Sequence, residues 1–399
     1  MKRIAHALSE ALTQLDTARL RRLRLTVEGF AEPANRARVR LGGRTLVDFS
    51  SNDYLGLARH PATATAMREC ASVWGTGSGA SHLVSGHGVE HARLEEELAA
   101  FTQRERALLF STGYMANLAV LCAFAGRGER VLLDRLSHAS LIDGALLSGA
   151  TLRRYAHADA QAAARLLEED PGSTSVIATD GVFSMDGDAA PVAALARTAR
   201  AAGAWLAVDD AHGLGVLGPG GRGTLALAGL SADEVPLLIG TLGKAFGSFG
   251  AFVAGSADTI ELLLQKARSY IYTTALPPPV AAASRAALEV AQAEPWRRER
   301  LAALIERFRE RAAEARLPLA PSRTPIQPVV LGSEAAVLAA QRELGSQGFL
   351  VIAIRPPTVP KGSARLRVTL SAAHTETEVD RLVEALGGAL TRAAGAGAA

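Results

Sequence analysis

Lysine is scarce in this chain. Only Lys2, Lys244, Lys266 and Lys361 stand among 43 basic residues, so arginine fills nearly every place where a generic cation would serve. Each surviving lysine therefore raises the question of whether an amine is required. Cysteine is scarcer still. Cys70 and Cys122 lie in apolar surroundings and supply neither a disulfide framework nor the ligand spacing of a metal site, which suits a reducing, cytoplasmic setting. Residues 1–24 lack a continuous apolar stretch, so neither a signal peptide nor a membrane span is expected. Net charge is also low, at +3 over 399 residues. Arginine clusters at 19–24 and 297–311 alternate with Leu, Phe and Glu as solvated helix faces do, so nucleic-acid binding is not expected.

What the chain does have is apolar residues: 48% of it is hydrophobic, enough for a sizeable core, and its length suggests two or three units. Residues 1–50 read as an arm, with an amphipathic helix to about residue 25 (Leu8, Leu12, Leu15, Leu20, Leu23) and a hairpin through 39–47. From 51 to 285, seven short apolar runs alternate with helical patterns: 107–110, 130–134, 152–155, 176–180, 205–209, 237–241 and 252–254. That alternation predicts an α/β domain, a mostly parallel seven-stranded sheet with helices on both faces. Ligands of such sheets bind beyond the carboxyl ends of the strands. Pro277-Pro278-Pro279 breaks the chain, and a long helix over 280–316 leads into a smaller α+β domain, 286–392. Its expected strands are 327–331, 350–354 and 365–369, with a helix near 334–347 and a disordered Ala/Gly tail over 393–399.

Polar residues gather where the strands end. Lys244 follows the apolar run Ile239-Gly240-Thr241-Leu242-Gly243, where a charged side chain is normally a liability. A guanidinium does not lose its proton, whereas an amine can be neutralised and attack a carbonyl to form a Schiff base. Taken singly, Lys244 also reads as a solvated loop charge. The strand at 205–209 ends in Asp209, Asp210 and His212; a carboxylate there can hold a proton on a heterocyclic nitrogen, or cap the next helix. Ser111-Thr112-Gly113-Tyr114 opens a helix whose free amides suit a phosphate. His138 and Ser184 follow two further strand ends, His138 being able to lie flat on a planar group. The Gly75-Thr76-Gly77-Ser78-Gly79 run lacks the preceding strand of a dinucleotide loop. Together, the phosphate cradle, flat imidazole, strand-end carboxylate and neutralisable lysine are the parts that hold pyridoxal phosphate.

At these residues the chain resembles a known family. Ser51-Asn52-Asp53-Tyr54-Leu55-Gly56-Leu57, Asp134-Arg135-Leu136-Ser137-His138-Ala139-Ser140, Gly181-Val182-Phe183-Ser184-Met185-Asp186-Gly187-Asp188, Val208-Asp209-Asp210-Ala211-His212-Gly213 and Gly240-Thr241-Leu242-Gly243-Lys244 are similar to segments of the α-oxoamine synthases. The resemblance spans roughly residues 20–385. It implies a fold-type-I pyridoxal-phosphate enzyme that condenses an amino acid with an acyl thioester and releases carbon dioxide. Residues 354–360 and 365–370 look most like the member that uses L-alanine and a pimeloyl thioester, carried on coenzyme A or a carrier protein. Members that use glycine, or a pyridoxal-phosphate-binding protein without turnover, are the alternatives.

By that resemblance Lys244 forms the Schiff base, Asp209 pairs with the pyridine nitrogen, and His212 and Ser184 bond the ring oxygen. His138 stacks on the ring and also meets substrate. Gly113 and Tyr114 serve the phosphate with help from Thr241, and Thr273 and Thr274 reach the phosphate of a neighbouring subunit in a homodimer. Asn52 and Arg367 bind the amino acid's carboxylate, with Arg355 a second candidate, while Arg21 and Thr358 contact the acyl substrate. His82 and His87 inherit no role, and no metal is expected.

Overall fold

The computed structural model describes residues 2–17, 20–22, 24–31, 37–169 and 175–396. The chain divides into two units, one of residues 52–184 and 188–301, the other of residues 1–51, 185–187 and 302–399. In the first, seven strands form one sheet: β1 (Arg106–Phe110), β2 (Arg130–Asp134), β3 (Thr151–Tyr155), β4 (Ser175–Asp180), β5 (Trp205–Asp209), β6 (Leu237–Thr241) and β7 (Ala251–Gly255). Their spatial order is β1-β7-β6-β5-β4-β2-β3. Strands β2 to β6 run parallel, and β7 runs antiparallel to both β1 and β6. The expected seven-stranded, mostly parallel sheet is present.

Helix-covered parallel strands have no solvent face, so their sequences are continuous apolar runs. Val131, Leu132 and Leu133 of β2 and Val176, Ile177 and Ala178 of β4 are fully buried, each large side chain contributing about 1.5–3 kcal/mol. Edge strand β3 is the exception, with exposed Arg153 and Arg154 that discourage further strand pairing. The helix Gly113–Phe124 starts at Thr112, whose hydroxyl accepts from Met115 N at 3.2 Å. The helix Ala139–Ser148 starts at His138, whose imidazole accepts from Ser140 N. Both open just beyond strand ends, as a parallel array requires.

The second unit holds two small sheets. Strands Gly29–Phe30, Arg38–Leu41, Arg44–Asp48 and Phe349–Leu350 form one, and Ile326–Gly332, Ala364–Thr369 and Ile352–Ile354 form the other. Several sequence expectations are corrected here. The arm is not separate, because Arg44–Asp48 pairs in parallel with Phe349–Leu350 and so joins the C-terminal region. The strand expected over 350–354 is two strands in different sheets. The long helix breaks near Pro295 into Pro278–Ala293 and Trp296–Glu314, since proline removes a helix hydrogen bond. Pro278 and Pro279 begin the first of these helices, two residues before its expected start. The N-terminal helix spans Lys2–Thr17, shorter than expected. The last helix, Glu376–Ala396, runs through most of the expected tail; residues 397–399 lie outside the described residues.

The turn between β6 and β7 carries Lys244. Leu242 N donates to Gly250 O at 2.8 Å, Gly247 N to Lys244 O at 2.8 Å and Ser248 N to Leu242 O at 2.9 Å. Gly247 has φ +61°, and a Cβ there would collide with the backbone at Leu57 and Ala58. Left-handed backbone and overpacking together predict that Gly247→Ala costs about 2–4 kcal/mol. An unchanged thermal midpoint would contradict this account of the turn.

Candidate active site

The register of β4, β5 and β6 sets Asp180 beside Asp209 and Asp209 beside Ile239, so two carboxylates end adjacent strands. Asp209 Oδ2 accepts from Asn117 Nδ2 at 2.6 Å, and its Oδ1 accepts from Ala211 N at 3.1 Å. The second Asn117 hydrogen goes to Ser140 Oγ at 2.8 Å. Asn117 lies on the helix whose first amides, at Gly113 and Tyr114, take no acceptor among the described residues. One helix therefore anchors the carboxylate and presents a cradle of donors. Burial pushes the Asp180 carboxyl well above the usual carboxylate range, and Asp209 beside it adds to the shift, against a hydrogen bond from His138 N at 3.0 Å. Protonating Asp180 relieves the repulsion between the two acids.

Lys244 is half-buried, and its Nζ lies 2.9 Å from His212 Nε2. On the other side of the ring, Nδ1 lies 2.6 Å from Tyr54 OH, and that hydroxyl donates to Asn52 Oδ1 at 3.2 Å. These directions are mutually consistent if the ammonium donates to Nε2 and Nδ1–H donates to the phenol oxygen. His138 Nδ1 is 2.7 Å from Ser140 Oγ. Although the His138 ring has an exposed face, desolvation lowers its pKa and Lys244 adds to this, against Asp209 and Asp143. A neutral, half-fixed imidazole results.

A family model for class I and II aminotransferases matches residues 44–386. An 8-amino-7-oxononanoate synthase of Methylococcus capsulatus is 60% identical over 357 residues, covering 90% of this chain and 92% of its own. One from Alkalilimnicola ehrlichii is 61% identical, covering 86% and 88%. The chain belongs to the 8-amino-7-oxononanoate synthases. Among solved structures, a serine palmitoyltransferase from S. paucimobilis, with PLP and myriocin bound, matches with TM-score 0.91 at 27% identity over 98% of both chains. An 8-amino-7-oxononanoate synthase from Francisella tularensis matches with TM-score 0.76 at 32% identity, covering 87% of this chain and 98% of its own. The protein is an acyltransferase enzyme of fold type I, and pyridoxal phosphate is its cofactor.

The residues present fit that cofactor. A primary amine, an anchored carboxylate, an imidazole and unfilled helix amides meet at the carboxyl edge of one sheet. Ser184 is half-buried in the loop after β4, near the edge that carries Asp180. Thr241 is committed locally, donating to Gly250 O at 3.1 Å and accepting from Gly243 N at 3.2 Å, so in this structure it shapes the Lys244 turn. Thr273 Oγ donates to Ser269 O at 2.6 Å, and Thr274 forms a β-bridge with Ser81. The other substrate candidates belong to the second unit. Arg21 is exposed and paired with Asp16 at 2.7 Å; Thr358 accepts from Arg22 at 3.4 Å. Arg355 follows the strand Ile352–Ile354, and Arg367 is buried on Ala364–Thr369, donating to Thr369 Oγ at 3.0 Å. Among the described residues, no group of three His, Cys, Asp or Glu could hold a metal ion.

Sequence reasoning missed Tyr54, Asn117, Ser140 and Asp180 as site residues. Tyr54 is 158 residues from His212, and no local pattern announces such a pairing. Asn117 carried a signal, since it lies one turn beyond Gly113. His157 was also missed. Its Nδ1 meets Asp134 at 2.9 Å and its Nε2 meets Asp188 at 2.8 Å, so it ties the end of β2 to the loop that carries Ser184.

Two predictions follow from these anchors. Asn117→Ala frees Asp209 and should weaken pyridoxal phosphate binding about 10- to 100-fold, as loss of outer-shell support does; titration of the apo-protein measures it, and an unchanged Kd would remove Asn117 from the site. The hydrogen bonds to Asp134 and then Asp188 raise the His157 pKa to about 10, from an ordinary 6.5. A raised folded-state value stabilises fully below the unfolded pKa and fades as pH climbs through the folded one. His157→Gln should therefore destabilise most below about pH 6.5, the gap to wild type closing by about pH 10. Parallel melting curves across that range would rule this out.

Proposed function

We propose that this enzyme joins L-alanine to a pimeloyl thioester, on coenzyme A or a carrier protein, giving 8-amino-7-oxononanoate, carbon dioxide and a free thiol in biotin biosynthesis. The observation that carries the reading is the Lys244–His212 pair at 2.9 Å beside the Asn117-anchored Asp209, set in a chain about 60% identical to synthases of that product.

Pyridoxal phosphate, when bound, supplies an electron sink for the pair left at the amino acid's Cα. This chain's residues do the rest. Lys244 would hold the cofactor through its amine, and Asp209 would pair with the ring nitrogen and keep a proton there. Gly113 and Tyr114 would give amides to the phosphate, and His138 would pack on the ring. Lys244 takes the amino acid's Cα proton, a transfer open only to the neutral amine. His212 Nε2 is placed to receive the ammonium's proton, and Tyr54 and Asn52 hold the ring in orientation. The Cα electron pair then attacks the thioester carbonyl, the C–C bond forms and the C–S bond breaks. The resulting β-keto acid loses carbon dioxide, and Lys244 returns a proton to Cα. Arg367 or Arg355 takes the amino acid's carboxylate, and Arg21 and Thr358 meet the acyl chain.

A homodimer in the cytoplasm fits this reading. Val73, Trp74, Leu83, Val84 and Tyr272 are exposed apolar side chains of the kind that subunit contacts cover, and Thr273 and Thr274 lie next to Tyr272. Cys70 and Cys122 are both free thiols. Among the described residues no helix is long and apolar enough to cross a membrane.

Two measurements test the reading. Mass identification of the product with alanine and pimeloyl-CoA should give 8-amino-7-oxononanoate, and a clear preference for glycine or serine would sink the assignment. Lys244→Ala should lose borohydride-fixable attachment of pyridoxal phosphate and lower kcat at least about a thousandfold. Retention of that attachment in the variant would mean another amine holds the cofactor.

A further inference from the structure

Asp210 follows Asp209 directly, yet its side chain serves neither the cofactor carboxylate nor substrate. It is fully buried. Its Oδ2 accepts from Thr224 N at 2.6 Å. Three glycines, Gly181, Gly213 and Gly223, press on the carboxyl so closely that a Cβ on any of them would collide with its oxygens. Gly223 also has φ +87°. The backbone of Asp210 is equally committed: its N donates to Ile239 O at 2.9 Å, and its O accepts from Gly213 N at 3.1 Å and Leu214 N at 3.0 Å. His212 lies inside that turn. The glycine-rich loop Gly218-Pro219-Gly220-Gly221-Arg222-Gly223 closes over it, with Gly215 N on Gly221 O at 2.7 Å and Gly223 N on Leu217 O at 2.8 Å.

We propose that Asp210 is a positioning residue, whose backbone bonds β6 and closes the Asp210–Gly213 turn while its glycine-enclosed carboxyl holds Thr224 at the end of the Gly218–Gly223 loop, so that His212 is held against Lys244. Two further buried atoms belong to this enclosure. Asp210 Oδ1 and Thr224 Oγ both lack a hydrogen-bond partner, and both lie against Gly181, 2.5 and 2.7 Å from where its Cβ would stand. A hydrogen bond between them satisfies both, the Thr224 hydroxyl donating to an ionised Oδ1 or a protonated Oδ1 donating to Oγ. Burial raises the carboxyl to about 7, against hydrogen bonds from the amide and hydroxyl of Thr224 and the Gly213 amide, with Asp209 on β5 adding to the rise. Asparagine in its place keeps an acceptor for Thr224 N and a donor toward Thr224 Oγ, but cannot titrate.

This inference rests on the roles given above to His212 and Lys244, and the test separates the two. The first arm uses apo-protein. A carboxyl with a raised folded-state pKa makes the native state lose stability as pH rises from about 4 to about 7. The melting midpoint of Asp210→Asn should therefore gain on wild type across that interval and hold its gain above it. The second arm measures the rate at which pyridoxal phosphate becomes borohydride-fixable on Lys244, read by peptide mass. Asp210→Ala should slow capture about tenfold or more, as loss of a supporting group does, and Asp210→Asn should restore most of the rate at neutral pH. In turnover, Asp210→Ala should lower kcat with little change in KM, because Asp210 meets no substrate.

Capture by Asp210→Ala at the wild-type rate would overturn the proposal, as would an Asp210→Asn stability curve parallel to that of wild type. If Asp210→Ala does not fold, Asp210→Asn decides: wild-type-like capture with an altered pH curve supports the proposal, and capture as poor as that of unfolded protein overturns it. If wild-type protein captures the cofactor on a lysine other than Lys244, the site reading fails, while the stability curves still judge Asp210.

Discussion

The register that ends β4 and β5 together forces two carboxylates, Asp180 and Asp209, side by side under low solvent exposure. Much of the site answers that constraint. Two buried acids cannot both ionise cheaply at such a separation, and here their surroundings differ. Asp209 receives hydrogen bonds from Asn117 and Ala211, whereas Asp180 is pushed upward by burial and by Asp209 itself, against the His138 amide and Lys244. The His138 amide bonds Asp180, so the residue expected to lie on the ring is placed by the acid whose pKa burial raises.

Orientation is the recurring use of the polar groups that do not themselves react. Asn117 fixes Asp209, Tyr54 fixes His212, Ser140 meets both Asn117 and His138, and the paired acids around His157 fix the loop beyond β4. A carboxylate or imidazole left to rotate would lose the geometry on which proton transfer depends. These partners come from helices and loops far apart in sequence. Their burial is affordable because nearly every donor meets an acceptor.

Much of the fold was legible because a helix-covered parallel strand has no polar face, and seven continuous apolar runs followed by turns can hardly be anything else. The chemistry was legible where side-chain type is constrained: a lone lysine after an apolar strand, and acids and imidazoles at strand ends. Pairings set by three-dimensional approach were not. Tyr54 with His212 and Asn117 with Asp209 depend on which segments the sheet brings together, and Asp210 looked like a neighbour of Asp209 until its glycine cage was seen. Errors in the second unit have local causes. Phe349–Leu350 is too short to show periodicity, Pro295 divides what reads as one helix, and an alanine-rich end favours helix despite its glycines.

Alternation also bears on the two arginines of the strand Ala364–Thr369. Arg365 and Arg367 share one face, since side chains repeat every second residue along a strand. Arg365 is already spent, donating to Asp186 at 2.5 Å and to Met185 O at 3.0 Å. Arg367 is buried, opposite Pro328 and Ile352, and keeps a local bond to Thr369. A buried guanidinium gains more from a carboxylate than an exposed one, because less of the attraction is screened by water. Arg355, in a turn and only half-buried, has less to gain. Arginine and lysine differ in the same respect: a guanidinium keeps its charge and suits recognition of an acid, whereas an amine can give its proton up.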